Sequence, residues 1–273
     1  DMNHSPRRKF GFTLAEGATH VAHCKDSRIV AFTLAEVLIT LAIIGVVAAM
    51  TMPTLIQHFQ KKSLETQTQR FYSMMSQAVK QYMADYGVDD LRHTPLAGDN
   101  YEDDGSPEAI ASIRDFVTKY LKVAKECDHD ANDCFAPEYL FWDGSKPEDY
   151  NFTTQTLWEG ARDYVLADGS VIRIVYYEPI QLYVDVNGKK GPNRNGYDLW
   201  SMSIFYDGIM DESFGGPEGR GRIEVDYNYD NLKCEQQSAQ EKRETRFENS
   251  CKDNPSYGGC FGHFLNNNFK FDY

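Results

Sequence analysis

No two of the six cysteines stand in a Cys-x-x-Cys spacing, so the chain lacks the signature of a zinc or thioredoxin-like site. The strings His-Glu-x-x-His, Gly-x-Ser-x-Gly and Gly-x-x-x-x-Gly-Lys-Ser/Thr are also missing, and His58, His93, His129 and His263 are scattered. No enzymatic activity is therefore expected. Basic charge is scarce: 28 Lys and Arg stand against 41 Asp and Glu, for a net charge of −13. Arg7, Arg8, Lys9, Lys25 and Arg28 make the first 31 residues net positive, so the remainder is more acidic still. Phosphate contacts need Lys and Arg, and no nucleic-acid partner is expected. Long apolar runs are rare too. There is one, and it organises the reading.

The word Phe-Thr-Leu-Ala-Glu occurs twice, at residues 12–16 and 32–36. After the first copy comes GATHVAHCKDSR, which is polar and cannot anchor in lipid. After the second comes VLITLAIIGVVAAMTM. The 21 residues 32–52 carry a single charge, Glu36, and no Pro. As a helix they would span about 31 Å at ~1.5 Å per residue, enough for a bilayer's hydrocarbon core. The basic residues upstream predict a cytoplasmic N-terminus and an exported C-terminal part, in the inner membrane. A small-residue cleavage site does not follow the run, where Met50-Thr51-Met52-Pro53 stands; the small residue, Ala31, precedes it. Cutting there leaves the membrane helix on the product.

The stretch RIVAFTLAEVLITLAIIGVVAAMTMPTLI resembles the N-terminal cleavage and methylation motif of type IV prepilins and type II secretion pseudopilins. That resemblance implies cleavage between Ala31 and Phe32 and N-methylation of Phe32 by a prepilin peptidase/methyltransferase. It also implies Glu36 as the fifth mature residue, pairing with a neighbouring subunit's Phe32 amine during assembly. Implied partners are other pilin or pseudopilin subunits, an inner-membrane assembly platform and membrane lipid. The implied fold is α+β and pilin-like: a long N-terminal helix, transmembrane in its first half, packed on an antiparallel sheet, with an additional helix in the connecting region. The expected division is a leader over 1–31, a membrane and filament-core helix over 32–52, an exported helix half over 53–86 and a head over 87–273. Two departures stand out: Ala31 replaces the family's usual Gly, and the first copy reads as a duplicated leader. A membrane-tethered binding domain that never polymerises is the competing reading.

An ionised carboxylate in a membrane helix costs roughly 2.5–3.5 kcal/mol near its centre, less at its end. The helix dipole offsets roughly 0.3–1 kcal/mol for Glu36 in the first turn, so a cationic partner is expected. Pro53 removes a backbone hydrogen bond and is expected to kink the helix.

Beyond it, Leu55, Phe59, Leu64, Phe71, Met75, Ala78 and Tyr82 form an amphipathic stripe that Gly87 stops. Residues 89–105 read as a polar acidic loop. Ser106-Pro107-Glu108 predicts a second helix start, whose apolar face runs from Ile110 to Ala124. Strands are expected over 164–167, 171–177, 181–186, 199–206 and 222–227, with a hairpin turn at Asp168-Gly169. The last 40 residues look polar and poor in strands.

Cys24 belongs to the leader. Exported Cys127, Cys134, Cys234, Cys251 and Cys260 would meet an oxidising compartment and form disulfides. Cys127 with Cys134 is one pairing and two of the last three another, with the connectivity open. The loop DVNGKKGPNRNGYD offers Asp185, Asn187, Asn193, Asn195 and Asp198 as oxygen ligands. Since some pseudopilins bind calcium in a head loop, the resemblance implies Ca²⁺ there, although the spacing matches no calcium motif.

Overall fold

The computed structural model describes residues 33–97, 105–127, 133–147, 152, 160–176, 179–213, 239–253 and 257–273. Ala31, Phe32, Cys24, Cys234 and the expected strand at 222–227 lie outside the described residues. Packing divides the chain into two units, Asp1–Met52 and Pro53–Tyr273.

Helix α1, Leu34–Tyr86, has Pro53 inside it and does not end there. It is long and apolar enough to cross a membrane once, and none of its most apolar stretch is buried. In the first unit Leu38, Leu41, Ile44 and Val47 are all more than half exposed. In the second unit, Leu55 and Phe59 stay exposed, so the buried stripe begins later than the sequence pattern suggests. It consists of Leu64, Thr68, Phe71, Met75, Ala78, Val79, Tyr82 and Met83. Gly87, at φ +66°, turns the chain out of the helix in a conformation that costs other residues a Cβ clash.

Helix α2, Pro107–Tyr120, starts as its sequence predicts: Ser106 Oγ accepts from Ala109 N at 3.0 Å, with Pro at the first position. It stops at Tyr120, short of the expected Ala124. Val123–Glu126 is instead strand β1, drawn into the sheet by pairing with β2. The six strands β1 Val123–Glu126, β2 Ala161–Leu166, β3 Val171–Val175, β4 Ile180–Asp185, β5 Leu199–Ile204 and β6 Met210–Glu212 lie in sequence order. All five pairings are antiparallel. This α+β architecture with an antiparallel meander is the one expected in outline.

Period-two alternation sends β-strand residues to opposite faces. Tyr164, Ile172, Ile174, Leu182, Val184, Trp200 and Met202 join the α1 and α2 stripes in one core. Ala161, Val171, Val175, Tyr183 and Leu199 face a second core closed by Phe135, Ala136, Tyr139, Phe152 and Tyr257. Both sheet faces are therefore covered, which is why the central strands are buried along their whole length.

The polar C-terminal part is helical. Helix α3, Ala239–Arg246, runs into a π-helical turn, Phe247–Lys252, and α4, Phe261–Asn266, follows. Disulfides join Cys127 to Cys134 and Cys251 to Cys260.

Candidate functional site

Two places concentrate chemistry. One is the start of α1. Thr33 and Glu36 bond reciprocally: Thr33 N and Oγ1 both donate to Glu36 Oε2 at 2.8 Å, and Glu36 N donates to Thr33 Oγ1 at 3.2 Å. This is a capping box, in which residues three apart satisfy the donors that a helix start leaves open. The repeated word Thr-Leu-Ala-Glu spells that box, a signal readable in the sequence. Glu36 Oε2 takes both bonds, and among the described residues none is made by Oε1.

The other place is the loop between β4 and β5. Asp185 ends β4 and Asp198 precedes β5, and both are fully buried. Backbone N–H groups organise them. Asn187 N donates to Asp185 Oδ1 at 3.1 Å; Asn193 N and Arg194 N donate to the two Asp198 oxygens at 2.8 and 2.6 Å. Gly188, at φ +68°, approaches so closely that a Cβ would sit 2.8 Å from Gly169 O. Val186 N donates to Asp198 O at 2.9 Å, closing the loop's base. From the opposite layer Tyr139 Oη donates to Asp185 Oδ2 at 2.5 Å. Sequence reading did not find Tyr139, which lies 46 residues away.

Burial, and then the Asp198 charge, push the Asp185 carboxyl up to about 8. Burial also pushes Asp198 up to about 6, against the lowering effect of the Arg194 and Asn193 amides. The Tyr139 phenol is raised by burial and by Asp185. In the same loop, the side-chain oxygens of Asn187 and Asn193 are buried and accept no hydrogen bond from the described residues. Asn195 turns its amide nitrogen to Cys260 Sγ at 3.1 Å.

Buried carbonyl-type oxygens beside two carboxylates make an oxygen-only donor set, the type that hard divalent cations take. Asp185, Asp198, Asn187 and Asn193 could hold such an ion; a cation would offset the repulsion and serve the orphaned oxygens. Elsewhere, Cys127, Asp133 and Cys134 present ligand atoms within 4.8 Å of one another. Both sulfurs are committed to a disulfide, so no thiolate is left for a metal.

The class defined by these features is an α+β head carrying a single apolar helix at its N-terminal side. Residues 54–206, more than half of the chain, match a family described as a family of unknown function (DUF6613), and the chain belongs to that family. The match includes the loop of Asp185 and Asp198; it leaves out the Thr33–Glu36 cap and the C-terminal helices. No curated protein and no solved structure matches the chain.

Proposed function

We propose that this chain is a structural subunit of a type IV pilus-like filament or secretion pseudopilus. It enters the inner membrane as a prepilin, is cleaved before Phe32 and N-methylated there, and polymerises through α1. The observation that carries this reading is the exposed apolar part of α1, opened by a cap whose bonds among the described residues fall on one Glu36 oxygen. Apolar side chains bare of protein need lipid or other helices around them. Small residues at Ala42, Gly45, Ala48 and Ala49 let such helices approach closely. A head-to-tail contact that does not close on itself yields a helical polymer. Work of this kind is mechanical, and the acidic head sets the surface of the assembly.

Mass analysis of the mature N-terminus tests the processing step: a methylated Phe followed by Thr-Leu-Ala-Glu is expected. Glu36→Ala tests polymerisation, and should abolish assembly while leaving membrane insertion intact. A wild-type protein that inserts but never assembles, with Glu36→Ala indistinguishable from it, would favour the membrane-tethered domain.

A second reading concerns the β4–β5 loop, where the orphaned Asn187 and Asn193 oxygens favour a resident Ca²⁺. Asp185 and Asp198 would supply its charge, and the ion would rigidify the loop. Isothermal titration of the apo protein with Ca²⁺ and Mg²⁺ tests it; binding that survives Asp185→Asn with Asp198→Asn rules the site out.

A further inference from the structure

The last seven residues, 267–273, cross the head as a strap. Phe269 packs on Tyr72 of α1 with ring centres 5.2 Å apart, and Phe271 N donates to Glu65 Oε1 at 2.9 Å. Lys61 Nζ bonds the Tyr273 carbonyl. On the other side Phe271 stacks on Tyr197 at 5.3 Å, and Tyr273 Oη donates to Gly196 O at 2.7 Å. The strap thus ties the exported half of α1 to the β4–β5 loop. Its root is strained: Asn268 and Phe269 both have left-handed backbones, at φ +53° and +59°. That conformation is a clear outlier for a residue as bulky as Phe, and it persists only where surroundings enforce it.

The turn is held by backbone bonds that cap α4, from Asn268 N to Leu265 O at 3.0 Å and from Phe269 N to Phe264 O at 2.8 Å. Beyond the turn, a histidine reaches the strap. His263 of α4 lies face to face on Phe247, ring centres 3.9 Å apart and planes 4° from parallel. Its Nδ1 is 2.6 Å from Glu244 Oε2 of α3, and its Nε2 is 2.9 Å from Asp272 Oδ1 of the strap. The side chain is 12% exposed. A neutral imidazole has one N–H and can donate to one carboxylate; only the imidazolium donates to both. An alternative partner waits at Nε2: the Asn267 amide nitrogen is 3.0 Å away and also donates to Asp272 Oδ2 at 2.8 Å. In a neutral ring, the Nε2 lone pair would accept from Asn267 and repel Asp272. Among the described residues, the Tyr273 ring and, over the Phe247 ring, Lys252 Nζ at 5.1 Å also lie by it. Neither offers Nε2 a competing anion.

We propose that His263 is the pH-responsive catch of this C-terminal strap. Charged, it clamps Glu244 and Asp272 together; neutral, with its one N–H kept on Glu244, it leaves Asp272 to Asn267 alone and loosens the strap. Histidine is the side chain suited to such a change between pH 5 and 8. The catch operates within one subunit, so it stands or falls separately from polymerisation.

Amide hydrogen exchange on the full chain in detergent micelles, corrected for intrinsic base catalysis, tests it. Protection of residues 268–273 relative to the sheet should fall at least tenfold between pH 5.5 and 8.5. In His263→Gln that pH dependence should disappear. Should His263→Gln not fold, Asp272→Asn keeps the ring and its Phe247 stack and must flatten the same profile. Imidazole ¹⁵N shifts should show both His263 nitrogens protonated at pH 5.5. A wild-type strap equally protected at both pH values, a singly protonated ring at pH 5.5, or an unchanged profile in Asp272→Asn would each overturn the proposal.

Discussion

Trp200 Nε1 donates to Thr68 Oγ1 at 3.0 Å, with both residues fully buried, so one hydrogen bond joins the start of β5 to the buried stripe of α1. Apart from the Tyr82 phenol, Thr68 carries the one polar side chain of that stripe, and the indole explains it: a buried N–H without an acceptor is costly. Thr68→Val keeps the shape and removes the acceptor. The expected loss is about 1–3 kcal/mol of head stability by denaturant titration. Pairing it with Trp200→Phe should cost less than the two single losses together, because the orphaned donor is gone.

The pair Asp163 and Arg173 makes the second prediction. Arg173 Nε and Nη2 donate to the two Asp163 oxygens, each at 2.7 Å, and neither side chain meets solvent. The rings of Phe135 and Phe152 lie 5.2 and 5.1 Å from the guanidinium. Removing one member leaves a bare buried charge, so Arg173→Met should cost about 3–5 kcal/mol. Adding Asp163→Leu should recover most of that loss, as judged by thermal unfolding of both variants.

That pair also marks the limit of what the sequence could reveal. A two-residue turn at Asp168-Gly169 would set Asp163 opposite Ile174; the turn takes three residues, 167–169, and only that register brings Asp163 opposite Arg173. The start of α2 was legible because Ser106, Pro107 and Glu108 act within one turn. The end of α2 was not. Residues 121–124 keep an apolar look, and only pairing with β2, some forty residues on, makes Val123–Glu126 a strand. Strand β6 was hidden because its acids are satisfied from afar: Asp211 by Arg243, and Glu212 by the amides of Gly259 and Gly262. The same distance hid Tyr139 from the loop it serves. The loop's own ligand set, Asp185 to Asp198, was visible as composition, whereas the burial that raises its carboxyls was not.

Those raised carboxyls predict a pH effect with a definite sign. Asp185 near 8 and Asp198 near 6 both lie above the ordinary carboxylate value of about 3.9. The folded head therefore holds protons that the unfolded chain has released. Stability from this pair is full below about pH 4 and is lost as pH rises through 6 and then 8. Without divalent cation, the Tm of Asp185→Asn should fall less between pH 5 and pH 8.5 than that of wild type, by a difference of at least about 1 kcal/mol, or about 2–4 °C. Millimolar Ca²⁺ should shrink the wild-type fall, since a bound cation favours the ionised pair, and EDTA should restore it.

Two glycines separate backbone strain from packing. Gly169 and Gly208 both have left-handed backbones, at φ +91° and +74°, in the turns before β3 and β6. A Cβ on Gly169 would meet open space; one on Gly208 would lie 2.5 Å from Met83 Sδ and 3.2 Å from Val79 Cγ1. Alanine at either site forces an L-residue into the left-handed region, at roughly 1–2 kcal/mol. Gly208→Ala must also displace Met83 from α1, and overpacking typically adds about 1–3 kcal/mol. Chemical denaturation should therefore rank Gly208→Ala as the more damaging. Met83→Ala in the Gly208→Ala background should return part of the excess, because the clash is with one flexible thioether; the same change should do nothing for Gly169→Ala beyond its own cost. Equal losses at the two glycines would mean that the β5–β6 turn does not press on α1.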